Sequence, residues 1–84
     1  MAFTITILEK AKKELAQVPK AEYCHIRDAI RKLADNPRPV GSLKLSGRDG
    51  IRIRCGNYRI IYEINDATEK VTILHIGHRR DVYR

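Results

Sequence analysis

Arg52 and Arg54 alternate along one short stretch, Arg59 stands on the stretch that follows, and Gly56-Asn57 lies between them. A guanidinium presents a planar fork of donors that grips phosphate through two hydrogen bonds, so such a cluster suits a phosphodiester. After Gly47 the basic residues are Arg48, Arg52, Arg54, Arg59, Lys70, Arg79, Arg80 and Arg84, only one of them lysine, which fits phosphate recognition better than general solubility. The chain ends Gly77-His78-Arg79-Arg80-Asp81-Val82-Tyr83-Arg84. Metal-free cleavage of RNA requires a base for the ribose 2′-hydroxyl proton, cations for the charged phosphorane and an acid for the leaving oxygen. Arg52, Arg54, Arg59 and Arg79 offer the cations. Arginine stays protonated and is a poor base, which leaves His78, of a type with an unperturbed pKa near ~6.5, as the natural acid or base. Tyr83 can stack on a base, contact a phosphate, or simply pin the chain end to the domain.

Other chemistries find no support. There is no Gly-rich phosphate loop, no Ser/His/Asp order and no clustered carboxylate pair, so nucleotide hydrolysis, acyl transfer and glycoside hydrolysis are set aside. Cys24 and Cys55 lie far apart without metal-ligand spacing, so no metal, no cofactor and no disulfide are expected, and both read as reduced thiols. His25 reads as a boundary histidine beside an apolar stripe, without a catalytic role. Seventeen basic residues against ten acidic ones give a net charge of +7, a balance that favours a polyanionic partner. No apolar run approaches the ~20 residues of a membrane helix, and Met1 to Lys10 carries no secretory pattern, so a cytoplasmic protein without a membrane partner is expected.

The elements that must position these groups follow from periodicity. Eighty-four residues make one domain, 1–84, with a small core. Phe3, Ile5 and Ile7 alternate with Thr4 and Thr6, the pattern of a strand with one buried face. Leu8, Ala11, Leu15 and Val18 fall on one side of a helix that Pro19 ends, and Tyr23, Ile26, Ile30 and Leu33 repeat the spacing in a second helix that stops before Asn36-Pro37-Arg38-Pro39. The two form a helical hairpin. Leu43 and Leu45 suggest a short strand, closed by the loop Ser46-Gly47-Arg48-Asp49-Gly50. Ile51, Ile53 and Cys55 then alternate with the arginines, Gly56-Asn57 has the form of a two-residue hairpin turn, and Tyr58 to Ile64 returns as a strand.

That turn sets a register in which Cys55 faces Tyr58, Arg54 faces Arg59, Ile53 faces Ile60, Arg52 faces Ile61 and Ile51 faces Tyr62. Like charges opposed across a strand pair are destabilising by up to about 1 kcal/mol, a cost that a bound anion or the nearby Glu63 relieves. A further strand, Val71 to Ile76, follows a polar loop too long to fix its register, so His75 points either to the core or to the arginine face. The expected fold is α+β: an N-terminal strand, a helical hairpin, then an antiparallel sheet of three or four further strands, with helices on one face and arginines on the other.

Three segments, Ile51-Arg52-Ile53-Arg54, Gly56-Asn57-Tyr58-Arg59-Ile60-Ile61-Tyr62-Glu63 and Ile76-Gly77-His78-Arg79-Arg80-Asp81-Val82-Tyr83, resemble the RelE branch of the RelE/ParE toxin superfamily. The resemblance spans nearly the whole chain and implies a RelE-like fold. It implies a toxin of a type II toxin–antitoxin pair, an endoribonuclease that cuts messenger RNA in the ribosomal A site, with the ribosome and a RelB-like antitoxin covering the basic face as partners. It places phosphate-binding and transition-state roles on Arg52, Arg54, Arg59 and Arg79 and an orienting or base-contacting role on Tyr83; Arg48, Arg80 and Arg84 complete the expected RNA-binding set. Where this chain has Arg52 and Arg54, some RelE-type toxins have lysine, one of which is assigned as general base; the substitution shifts that role toward His78. The alternatives are a ParE-like poison of DNA gyrase and a basic RNA- or ribosome-binding module that does not cleave.

Overall fold

The computed structural model describes residues 2–45 and 50–78. Seven elements follow in the order β1 (Thr4–Ile7), α1 (Glu9–Ala16), α2 (Lys20–Lys32), β2 (Leu43–Lys44), β3 (Ile51–Cys55), β4 (Tyr58–Asn65) and β5 (Lys70–His78). Pro19 both ends the first helix and starts the second: its carbonyl accepts the N–H groups of Glu22 and Tyr23 at 2.9 Å each, while its own missing N–H costs nothing at a helix start. The second helix runs out before Pro37, as the sequence predicts.

The strands form one five-stranded sheet in the order β1-β5-β4-β3-β2. Four strands run antiparallel, and β1 joins β5 in parallel, pairing Ile5 with Val71 and Ile7 with Ile73. The helical hairpin carries the chain from β1 at one edge of the sheet to β2 at the other, and the antiparallel strands then return it to β5 beside β1. The β3–β4 register is the one the turn dictates, from Cys55↔Tyr58 to Ile51↔Tyr62. Gly56 sits at φ +61 while Asn57 does not enter positive φ, the type II′ arrangement that takes glycine at its first central position.

One face of the sheet meets the helices. Ala11, Leu15, Val18, Ile26, Ile30 and Leu33 pack on Ile53, Ile60, Tyr62, Val71, Ile73 and Ile76 in a single buried cluster. At roughly 1.5–3 kcal/mol for each fully buried large apolar side chain, this cluster is the main favourable term holding the domain. Tyr62 is fully buried and donates its hydroxyl hydrogen to the Pro37 carbonyl at 2.7 Å, tying the loop after the second helix to the sheet. Burial pushes its phenol up to about 12. No helix of the described residues is long and apolar enough to cross a membrane.

Candidate functional site

The opposite face of β3 and β4 carries Arg52, Arg54 and Arg59. Cross-strand pairing sets Arg54 directly against Arg59 and Arg52 against Ile61, so the three guanidiniums rise from two adjacent rungs of one sheet face. Arg54 is exposed, whereas Arg52 and Arg59 are half-buried. Ile61 lies between them and is only 3% exposed, although it belongs to the face turned away from the helices. The Leu45 N–H donates to the Gly50 carbonyl at 3.0 Å, which brings that loop base over the sheet. Gly50, at φ +132, must be glycine: a Cβ there would sit 3.0 Å from Leu45 Cδ1 and 3.7 Å from Ile61 Cγ2. The arginines therefore surround an apolar floor that shields part of their field from water, which strengthens their pull on an anion.

The strand β5 extends two residues past the expected end, through Gly77 and His78. Its pairing with β4 is irregular: Ile61 faces His75 and Tyr62 faces Ile73, leaving Leu74 as the extra residue of a bulge. The bulge settles the His75 question: paired with Ile61, it shares the arginine-bearing face, and Gly77 faces Arg59. Its Nδ1 lies 2.7 Å from Oε2 of Glu14 on α1.

His78 is not brought to the arginines. It pairs with Tyr58, on the helix side of the sheet, and the two rings meet edge to face with centroids 5.7 Å apart at 78°. Strand alternation is the reason: one residue beyond Gly77, its side chain leaves by the other face. Burial, and then the Glu22 carboxylate, pushes the Tyr58 phenol up from its ordinary value. Burial likewise raises the Cys55 thiol, with Glu22 and Asp28 adding to it, so this half-buried cysteine is a poor nucleophile. Both cysteines are free. Arg48, Arg79, Arg80, Tyr83 and Arg84 lie outside the described residues.

A separate cleft of about 750 Å³ opens at the other end of the sheet, among Arg38, Lys44, Glu63, Asp66 and Lys70. Its charges are of both signs, and Arg38 is spent on Asp66 through two hydrogen bonds of 2.9 and 3.2 Å. Among the described residues no group of histidine, cysteine or carboxylate side chains is placed to hold a metal.

Sequence reasoning missed the Glu14–His75 contact. No local signal carries it, because it depends on the Leu74 bulge and on where the first helix crosses the sheet edge.

Known proteins are similar to this chain in sequence and in fold. Residues 5–83 match the family described as ParE toxin of type II toxin–antitoxin system, parDE. The chain is 30% identical over 86 residues to toxin RelG of Mycobacterium tuberculosis, with 100% of this chain and 99% of that protein covered. It is 29% identical over 85 residues to toxin RelE of the same organism, covering 98% and 87%. The fold is similar to that of the RelBE2 toxin–antitoxin complex from M. tuberculosis, with a TM-score of 0.82, 25% identity and 96% and 95% of the two chains covered. An archaeal RelE–RelB complex from Pyrococcus horikoshii gives 0.81 at 28% identity, covering 98% and 100%. With helices on one face, arginines on the other and a match over almost its whole length, this chain belongs to the ParE toxin family of the RelE/ParE superfamily, the toxins of type II toxin–antitoxin pairs.

Proposed function

We propose that this toxin is a metal-independent endoribonuclease that cuts messenger RNA in the ribosomal A site, inhibits translation and is held silent by a RelB-like antitoxin. The observation that supports it most is the rung of Arg54 against Arg59 beside Arg52, on the sheet face opposite the two described helices. A scissile phosphate drawn to that face meets fixed guanidiniums, which stabilise the extra charge of the phosphorane more than that of the ground state. Arg79 and Tyr83 join this set as the carried-over transition-state and base-contacting groups, and Arg48, Arg80 and Arg84 hold the RNA around them. The products are a 5′-hydroxyl fragment and a 3′ end bearing a cyclic or opened phosphate. The ribosome supplies the alignment of the message, an effect that replaces several kcal/mol of chemical assistance. Several solved relatives are RelE–RelB complexes, which supports an antitoxin as partner.

The test adds purified protein to programmed ribosomes with an empty A site and maps message 5′ ends by primer extension. Discrete cuts within the A-site codon are expected. A second reading, a gyrase poison, is favoured by the family match itself, whose description names ParE. An uncut message from protein that still arrests growth, together with inhibited gyrase supercoiling, selects it. An uncut message with protein bound to the ribosome selects a non-cleaving binding module.

A further inference from the structure

Past Ile73 the outer edge of β5 has lost its partner strand, because β1 ends at Ile7. Glu14 of α1 takes over that edge. Its Oε1 accepts the Ile76 N–H at 3.0 Å and its Oε2 lies 2.7 Å from His75 Nδ1, off the axis of the ring N–H. At that separation two unprotonated atoms would repel, so one of the two carries a proton. In the neutral ring it sits on Nδ1, and Nε2 is then the basic nitrogen. Both side chains are about three-quarters buried, with 24% and 23% of their surfaces exposed. One oxygen ties the carboxylate to the strand edge, and the other lies against the imidazole.

The place of this pair matters as much as its geometry. His75 stands on the rung of Ile61 and Arg52, one rung from Arg54 and Arg59, on the same sheet face. It also lines a recess of about 280 Å³ with Glu14, Gln17, Tyr58 and His78, open to solvent at the sheet edge. A carboxylate that fixes one ring nitrogen while the other serves as base is the arrangement that activates hydroxyl nucleophiles on unrelated folds. The arginine face has cations in abundance and, among the described residues, the one other side chain on it with a basic atom is the exposed carboxylate Glu63.

We infer that His75 is the general base of the cleavage and Glu14 its positioning residue; the inference rests on the nuclease reading above. Nε2 takes the proton of the ribose 2′-hydroxyl as the 2′-oxygen forms its bond to phosphorus. The bond from phosphorus to the 5′-oxygen breaks, and the leaving oxygen takes a proton from water. The hydroxide so formed recovers the proton from His75, and the 3′ fragment end is a 2′,3′-cyclic phosphate. The charged and titratable groups beside the ring are Glu14 from the first helix and Tyr58 and His78 in the recess; on the same sheet face Arg59 stands on the adjacent strand and Arg52 one strand further.

The test measures single-turnover cleavage on programmed ribosomes from pH 5.5 to 8.5, with ribosome binding measured alongside. His75→Gln, which keeps the size and polarity of the side chain, is expected to cut about 100-fold to 10,000-fold more slowly at unchanged ribosome affinity. It is also expected to lose the rise in rate between about pH 5 and 8 that a histidine base imparts. Glu14→Gln keeps an acceptor for the Ile76 N–H, and a fall of roughly 10-fold in rate, with affinity and the pH rise retained, is expected of a positioning residue. A wild-type rate in Glu14→Gln, or His75→Gln that cuts at the wild-type rate with the same pH rise, overturns the assignment while the nuclease reading stands. A wild-type protein that leaves the message uncut overturns both.

Discussion

The two faces of the β3–β4 hairpin are built from alternate residues of the same two strands, yet they answer to different demands. On one face Ile53, Ile60 and Tyr62 are 7%, 0% and 0% exposed beneath the helices. On the other, Arg52, Arg54 and Arg59 surround a single buried isoleucine. The opposed pair Arg54 and Arg59 costs at most about 1 kcal/mol, less than one buried isoleucine on the far side returns. The domain tolerates an electrostatically unfavourable face because the other face carries its stability. Charge clustering of this kind is therefore free to serve binding, and its position in the fold is set by residues that never touch the ligand.

Adjacent substitutions at positions 59 and 60 separate the two demands. Ile60→Ala leaves a cavity at the centre of the buried cluster and is expected to cost about 2–5 kcal/mol in urea unfolding, a large share of the ~5–15 kcal/mol that holds a typical domain. Arg59→Ala is expected to lower A-site cleavage by roughly 100-fold to 1,000-fold, the loss usual for one transition-state donor. Its unfolding midpoint should move far less than that of Ile60→Ala, because the substitution opens no cavity in the buried cluster. A strongly destabilised Arg59→Ala, or full cleavage by a folded one, breaks the division between the faces.

The same division governs how much the sequence discloses. Alternation of isoleucine with arginine and a two-residue turn specify every pair from Cys55↔Tyr58 to Ile51↔Tyr62, because a short turn leaves no freedom to slip. The helices are equally legible from Leu15, Ile26 and Leu33 at helical spacing, closed off by Pro19 and Pro37. Three features are not. The parallel docking of β1 against β5 joins strands separated by more than 60 residues, and nothing local encodes it. The extra residue Leu74 shifts the β5 register by one, so whether His75 faced core or arginines had no local answer. The extension of β5 to His78 then carries that ring to the helix side, away from the cations it was expected to serve. Bulges and long-range pairings are decided by tertiary packing, and the proposed acid–base part of the site depends on both.

A smaller effect sharpens the picture of the buried face. Tyr62→Phe leaves the Pro37 carbonyl without its 2.7 Å donor and is expected to cost about 1–2 kcal/mol, with cleavage by the folded protein retained. The folded phenol titrates at about 12, against about 10 in the unfolded chain. Between those values the unfolded state releases its proton first, so it binds fewer protons than the native state and stability falls as pH rises. Urea titrations above about pH 10 should show this loss from Tyr62 in the wild type and lack it in Tyr62→Phe.

The smallest expected effect concerns the second tie on the same loop, the exposed Arg38–Asp66 bridge, which joins residues 36–39 to the turn after β4. The guanidinium hydrogen bonds hold the Asp66 carboxyl below its ordinary value and raise Arg38 above its own. With the carboxyl lowered in the folded state, the bridge contributes above the unfolded carboxylate range, and the contribution is lost as pH falls through the Asp66 value. Asp66→Asn should therefore melt slightly below the wild type at neutral pH and low salt, and the gap should close in acid and at high salt, where exposed pairs are screened. Cleavage should not change, because the bridge lies at the far end of the sheet from Arg54 and Arg59. A loss of cleavage in this variant would mean that the arginine face depends on the whole length of β4 for its geometry, and that the two faces are less independent than their energetics suggest.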